Sequence, residues 1–165
     1  MANTDHHNDV VIAWLNDAYA MENAIIETLE SQVDLAAGHP DVQAGIQQHL
    51  EATRHHAETV KSCLAQFDEK PSAGKKVLAT LGGKLQGAAM GSTDDDLVRA
   101  ALQDYATEHM EIASYRALID AAQVIGMPTI GEALKEILAD EIEMANWLTT
   151  NTPALVQGVV ARAQT

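Results

Sequence analysis

The sequence predicts an all-α protein built as a four-helix bundle, and three observations carry that prediction. The 165 residues are 47% hydrophobic yet only 4% aromatic, and much of the apolar content is Ala, Leu, Ile and Val. Sheet proteins carry more β-branched and aromatic side chains than this. Four long segments repeat apolar residues at steps of three and four, the helical period. The connections are unequal: two are a few residues long and the one between them is much longer. The length allows one domain with a real core and is too short to expect two.

The first helix is expected over residues 8–37, with Val11, Leu15, Ala18, Ile25, Ile26, Leu29 and Val33 on one face. Gly38-His39-Pro40 breaks it. The second runs over 41–67, with Ile46, Leu50, Ala57, Val60 and Leu64 inward. Residues 68–93 hold glycines 74, 82, 83, 87 and 91 together with Pro71, and form the long crossover. Val77, Leu81 and Leu85 give it at most a short helical piece. Thr93 has the character of an N-cap, and Asp94, Asp95 and Asp96 suit the positive end of the helix dipole. The third helix extends over 94–125 and stops at Gly126, and Pro128 opens the fourth, expected over 128–150. Thr152-Pro153 would start a short terminal helix over 153–161. Short links force two antiparallel hairpins, while about 25 residues suffice to return along a bundle of this height at 1.5 Å per residue. Two hairpins joined by one long crossover is the ferritin-like arrangement, distinct from the simple up-down bundle.

The formal net charge is −14 and the pI about 4.6. Such a surface repels phosphate backbones, so nucleic acid is not an expected partner, whereas cations are attracted. The single cysteine, Cys63, permits no intrachain disulfide and sits beside Leu64 as a small core residue. The N-terminal stretch lacks both a basic region and a long apolar run, and no stretch approaches a membrane span. A cytoplasmic protein without membrane contact is expected. His6 and His7 read as a frayed terminus.

Each inward stripe carries one residue that does not belong in oil. The stripes are Val11, Leu15, Ala18, Glu22, Ile25, Leu29; then Ile46, Leu50, Thr53, Ala57, Val60, Leu64. The third and fourth are Ala101, Tyr105, Glu108, Ile112, Tyr115, Ile119, and Leu134, Leu138, Glu141, Ala145, Leu148. The foreign residue is glutamate in three of the four. A buried carboxylate costs several kcal/mol unless paired or bound to a cation, and only Arg99, Arg116 and Lys135 are basic in the last two helices. Either the acids are partly protonated or a metal neutralises them. Oxygen ligands suit iron or manganese, and an added histidine favours a transition metal over calcium. One turn further along, at i+3, lie Glu111, His56 and Met144. The usual di-iron bundle takes Glu from two helices and Glu-x-x-His from the other two, so this chain meets the pattern in part. His49 and His109 lie at stripe edges as supporting or structural residues. Tyr105 and Tyr115 read as core aromatics, with Tyr115 also placed to donate to a ligand or to relay an electron.

The stretches LNDAYAMENAI, IQQHLEATRHHAE and EHMEIASYRALI resemble the bacterial YciF/YciE ferritin-like group, over roughly residues 10–150. The resemblance implies a stress-associated protein with a carboxylate-bridged site for two iron ions, manganese being an alternative, in a homodimer. By position it carries over Glu22, His56, Glu108, Glu111 and Glu141 as metal ligands. Thr53 stands where a bridging Glu is expected, Met144 or Ala145 where a His is expected, and Ala52 where relatives carry an acid. The site would then hold one metal, bind weakly, or recruit Glu51 or His55 through a local helix bulge.

Two functions compete. The first is a di-metal redox protein that oxidises iron(II) with oxygen or peroxide, Glu108 or Glu111 bridging, Glu22 and Glu141 terminal. The second is a non-catalytic stress or interaction protein with a degenerate site, which Thr53 and Met144 favour. Storage in a hollow cage lacks an assembly signature, and protection of DNA is disfavoured by the charge.

Overall fold

The computed structural model describes residues 2–72 and 94–162. Four helices account for nearly all of them: α1 (Ala2–Leu35), α2 (Pro40–Ala65), α3 (Asp94–Val124) and α4 (Pro128–Arg162). Pro40 enters the first turn of α2, where its missing N–H costs nothing and its fixed φ is already helical. At the end of α3 the chain reverses through Gly126, whose φ of 75° only glycine adopts freely. The Met127 amide donates to Ala122 O at 2.9 Å and the Gly126 amide to Gln123 O at 3.1 Å, satisfying carbonyls the helix leaves open. That turn delivers Pro128 to the start of α4, antiparallel to α3.

The rods pack α1 on α2 and α3 on α4, and the hairpins meet through α1 with α3 and α2 with α4. Pairings along the seams give the directions. Gln32 donates to Asp104 at 2.8 Å, and Tyr115 donates to Glu22, so α3 descends as α1 rises. On the other seam Thr129 meets Gln66 at 2.7 Å while His56 meets Asp140 at 3.1 Å, so α4 opposes α2. It follows that α2 and α3 run parallel, and the link between them must travel the length of the bundle. This is a ferritin-like bundle. The expected short helical piece at Val77, Leu81 and Leu85 and the Thr93 cap lie outside the described residues, as does most of the 68–93 crossover.

Sequence positions on these antiparallel rods put one apolar layer, with Leu15, Leu64, Ile130 and Leu134, toward one end. A second, with Leu29, Ile46, Ala101 and Leu148, lies toward the other. Burying each large aliphatic side chain contributes about 1.5–3 kcal/mol. Between the layers sits the polar cluster that the stripes anticipate.

Three expectations need correction. The first helix starts at Ala2 and not near residue 8, so His6 and His7 stand in its opening turns and not in a frayed terminus. The separate terminal helix over 153–161 does not form, because α4 continues through Pro153 to Arg162. Proline leaves Thr149 O without its helical N–H, and the turn before it carries added side-chain bonds. Thr149 donates to Ala145 O, Thr150 to Asn146 O and Asn151 to Trp147 O, while Leu155 is buried in the core beyond the proline. Tyr105 is not inward either: it is 40% exposed and packs edge-on against His109, with ring centroids 4.5 Å apart. Asp104 takes the buried position.

Candidate metal centre

Six ionisable side chains meet midway along the bundle, and every rod supplies at least one. Glu22 comes from α1, His49 and His56 from α2, Glu108 and Glu111 from α3, and Glu141 from α4; none is more than 5% exposed. Helical spacing explains the groupings. His49 and His56 are two turns apart on one face, and Glu108, Glu111 and Tyr115 follow at three and four.

Glu141 is the centre of the arrangement. Its Oε1 lies 2.9 Å from His56 Nδ1, and its Oε2 lies 4.0 Å from His49 Nε2. His56 Nδ1 is also 3.8 Å from Glu22 Oε2, and His49 Nε2 is 3.2 Å from Glu108 Oε1. Two triads result, Glu22–His56–Glu141 and His49–Glu108–Glu141, and the donor atoms of each lie within 4.8 Å of one another. The triads share Glu141 and use its two oxygens separately. Glu111, 1% exposed, has both carboxylate oxygens unpartnered.

The unmet donors and acceptors test whether a cation fits. Among the described residues, the buried side-chain oxygens and nitrogens without a hydrogen-bond partner belong to this cluster, apart from one atom each of Gln32 and Gln103. They include His49 Nε2, His56 Nδ1 and both oxygens of Glu141, which approach one another without the alignment a hydrogen bond needs. A buried polar group left unmet costs about 1–3 kcal/mol, more when charged. The ion pairs of Arg54, Lys61, Arg99 and Lys135 are all at the surface and do not reach the cluster. Carboxylate oxygen with imidazole nitrogen is a donor set for first-row transition ions. The residues fit.

The electrostatics without a cation are strained. Burial, then the charge of Glu141, pushes Glu22 up to about 8, against relief from His56 and Tyr115. The same two causes push Glu108 up to about 10. Glu111 is also raised well above the ordinary carboxylate range, by burial and then by Glu141, Glu22 and Glu108. Burial alone would depress His56, but the neighbouring Glu141, Glu22 and Asp140 outweigh it and raise it to about 9. His49 is lowered, chiefly by burial. Asp104 rises to about 6 for the same reason, offset in part by its bond from Gln32.

Two contacts align members of the cluster from outside. The Tyr115 hydroxyl donates to Glu22 Oε1. Asp140 Oδ2 stands 3.1 Å from His56 Nε2, so the tautomer with its proton on Nε2 turns the Nδ1 lone pair toward Glu22 and Glu141. Of the residues anticipated from sequence, Glu22, His56, Glu108, Glu111 and Glu141 all lie in the cluster, and Tyr115 borders it. Glu51 and His55 do not. Glu51 is on the outer face paired with Arg54, His55 is exposed, and α2 carries no bulge that would turn them inward. Thr53 is buried but spends its hydroxyl on His49 O at 2.9 Å, and Met144 is buried beside the cluster without an oxygen or nitrogen to offer. His49, read as a stripe-edge residue, is a full member. Its seven-residue spacing from His56 was the available signal.

The family described as Domain of unknown function (DUF892) matches residues 6–161. Among solved structures, a protein from Xanthomonas campestris pv. campestris is 30% identical, with 97% of this chain and 99% of that chain covered and a TM-score of 0.81. The E. coli stress protein YciF is 23% identical over 92% of this chain and 97% of that one, at a TM-score of 0.74. A dodecameric thioferritin, the bacterioferritin-related protein from Bacteroides fragilis, is 18% identical over 94% and 89%, at 0.70. The last two likenesses concern the fold alone.

Proposed function

The chain belongs to the DUF892 family, a YciF-type ferritin-like family, and we propose that it holds two metal ions, normally iron, in a carboxylate-bridged centre. The observation that carries this reading is Glu141, whose two oxygens are turned to different histidines, each backed by a further glutamate. Glu141 would then be shared by the two ions, with Glu22 and His56 holding one and His49 and Glu108 the other. Glu111, whose two oxygens are unpartnered and which interacts electrostatically with Glu22, Glu108 and Glu141, would supply a further carboxylate to the pair. This differs from the sequence-based assignment, which made Glu141 terminal and left His49 out. His49 on α2 compensates for the histidine absent at Met144.

A pair of ferrous ions would supply two electrons at one place, enough to take hydrogen peroxide and two protons to two waters, or oxygen and two protons to peroxide. The protein's own part is to keep the donors converged, dry and correctly protonated. Tyr115 holds Glu22, and Asp140 holds the His56 ring. Asp140 is 52% exposed and touches His56 directly, which gives protons released on ion binding a way to water. The relative's description as a stress protein agrees with a role in oxidant or iron defence in the cytoplasm. A homodimer is the assembly we assign, and the dodecameric relative makes solution mass a direct check.

Anaerobic titration with iron(II) should saturate at two ions per chain, and admitting air should then develop the near-ultraviolet absorption of ferric carboxylate sites. Saturation at zero ions removes the proposal. The buried Thr53 and Met144 favour one rival, a bundle whose degenerate site binds nothing and which acts by contact. On that reading Glu108→Ala leaves the behaviour of the protein in iron unchanged. On ours the same variant loses the thermal stabilisation that iron provides.

A further inference from the structure

A cleft of about 320 Å³ opens on the outer seam between α2 and α4. Its two buried lining residues, and so its floor, are His49 and Met144. His49 faces two ways: its ring lines the cleft, while its Nε2 is unpartnered and 3.2 Å from Glu108 on the inside. The rim carries Asp140 and Glu143, both exposed, with Gln48 opposite. Small side chains make the opening. Ala52 leaves the α2 wall low, and Gly45 lets Trp147 lie against the helix, since a Cβ there would sit 2.4 Å from Trp147 Cζ2.

Two other clefts among the described residues lack these features. That between α1 and α3, about 280 Å³, is lined by apolar groups such as Trp14, Met21, Met110 and Leu118 and touches no member of the cluster. That between α1 and α2 is lined by Glu30, Val33, Gln47, Leu50 and Glu51, again outside the cluster. A divalent cation loses hydration in stages, and a passage that offers carboxylates at the mouth and imidazole at the bottom replaces it in stages.

We propose that the α2–α4 cleft is the port by which divalent cations reach the buried carboxylates, with Glu143 and Asp140 collecting ions at the rim and His49 receiving them at the floor. This rests on the metal-centre reading above and adds the route. Cobalt(II) loading followed by stopped-flow visible absorption tests it, with bound cobalt counted at the end. Ala52→Phe, which fills the cleft above His49 without replacing a ligand, should slow loading at least tenfold and leave the final stoichiometry unchanged. Glu143→Lys should slow it severalfold at low salt and much less at high salt. Ala117→Phe, in the α1–α3 cleft, should load at the wild-type rate. If Ala52→Phe and Glu143→Lys both load like wild type, or Ala117→Phe slows loading as much as Ala52→Phe, the port is overturned while the centre stands. If wild type binds no cobalt, the centre fails and takes the port with it. Should Ala52→Phe melt early by circular dichroism, the exposed Glu143→Lys decides alone.

Discussion

Stripped of metal, the protein should lose stability as pH rises through neutrality, the reverse of common acid denaturation. Glu22 and Glu108 bind protons in the folded state up to about 8 and about 10, against an ordinary 4.5. His56 holds its proton to about 9 rather than 6.5. All three folded values are raised, so their stabilising contribution is complete below the unfolded values and is lost as pH climbs through the folded ones. Between about pH 5 and 8 the folded chain therefore carries more protons than the unfolded chain. Each excess proton contributes a slope of about −1.4 kcal/mol per pH unit. Relaxation around the cluster will blunt the sum, but one excess proton alone lowers Tm by about 3–6 °C per pH unit in a chain of this size. Thermal melts by circular dichroism in EDTA, at pH 5.5 to 8, measure it. A bound divalent ion displaces those protons, so with manganese(II) present the slope should flatten or turn upward. A metal-free Tm that is level or rises across this range would refute the burial of these acids as a converged group.

Glu141→Gln keeps the shape but removes the charge both triads share. It should cut bound ions from two per chain to one or none by equilibrium dialysis, and should flatten the metal-free fall of Tm with pH, because the charge that raises Glu22, Glu108, Glu111 and His56 together is gone. Tyr115→Phe takes the hydroxyl from Glu22 and leaves that oxygen unmet, at a cost of about 1–3 kcal/mol in melts; no loss would mean the contact is absent in solution. Gly45→Ala gains about 1 kcal/mol of helix propensity but pushes the Trp147 ring off α2. Tryptophan emission should move to longer wavelength with little net change in Tm, and an unmoved spectrum would contradict the packing.

Periodicity could locate the four rods because burying an apolar stripe is what makes an amphipathic segment helical. The foreign glutamates stood out for the same reason: Glu22, Glu108 and Glu141 interrupt runs of aliphatic residues, and the cost of a buried charge turns each interruption into a question about a ligand. Tyr105 was misread because a step of 3.6 residues drifts, and neighbouring Asp104, bonded to Gln32 across the α1–α3 seam, holds the buried position. The proline at 153 looked like a helix boundary because local rules count its missing N–H. They do not count Leu155 docking beyond it.

The chain by itself determined the helical class, the two hairpins, the long return between them and the acidic character of the interior, since these follow from spacing within single segments. Tertiary structure alone decided that Glu141 divides its oxygens between two histidines, that His49 meets Glu108, and that Asp140 meets His56. Those outcomes depend on the rotation and relative height of four rods. No single segment encodes them, because a helix specifies the face it buries and leaves open which neighbour that face will meet.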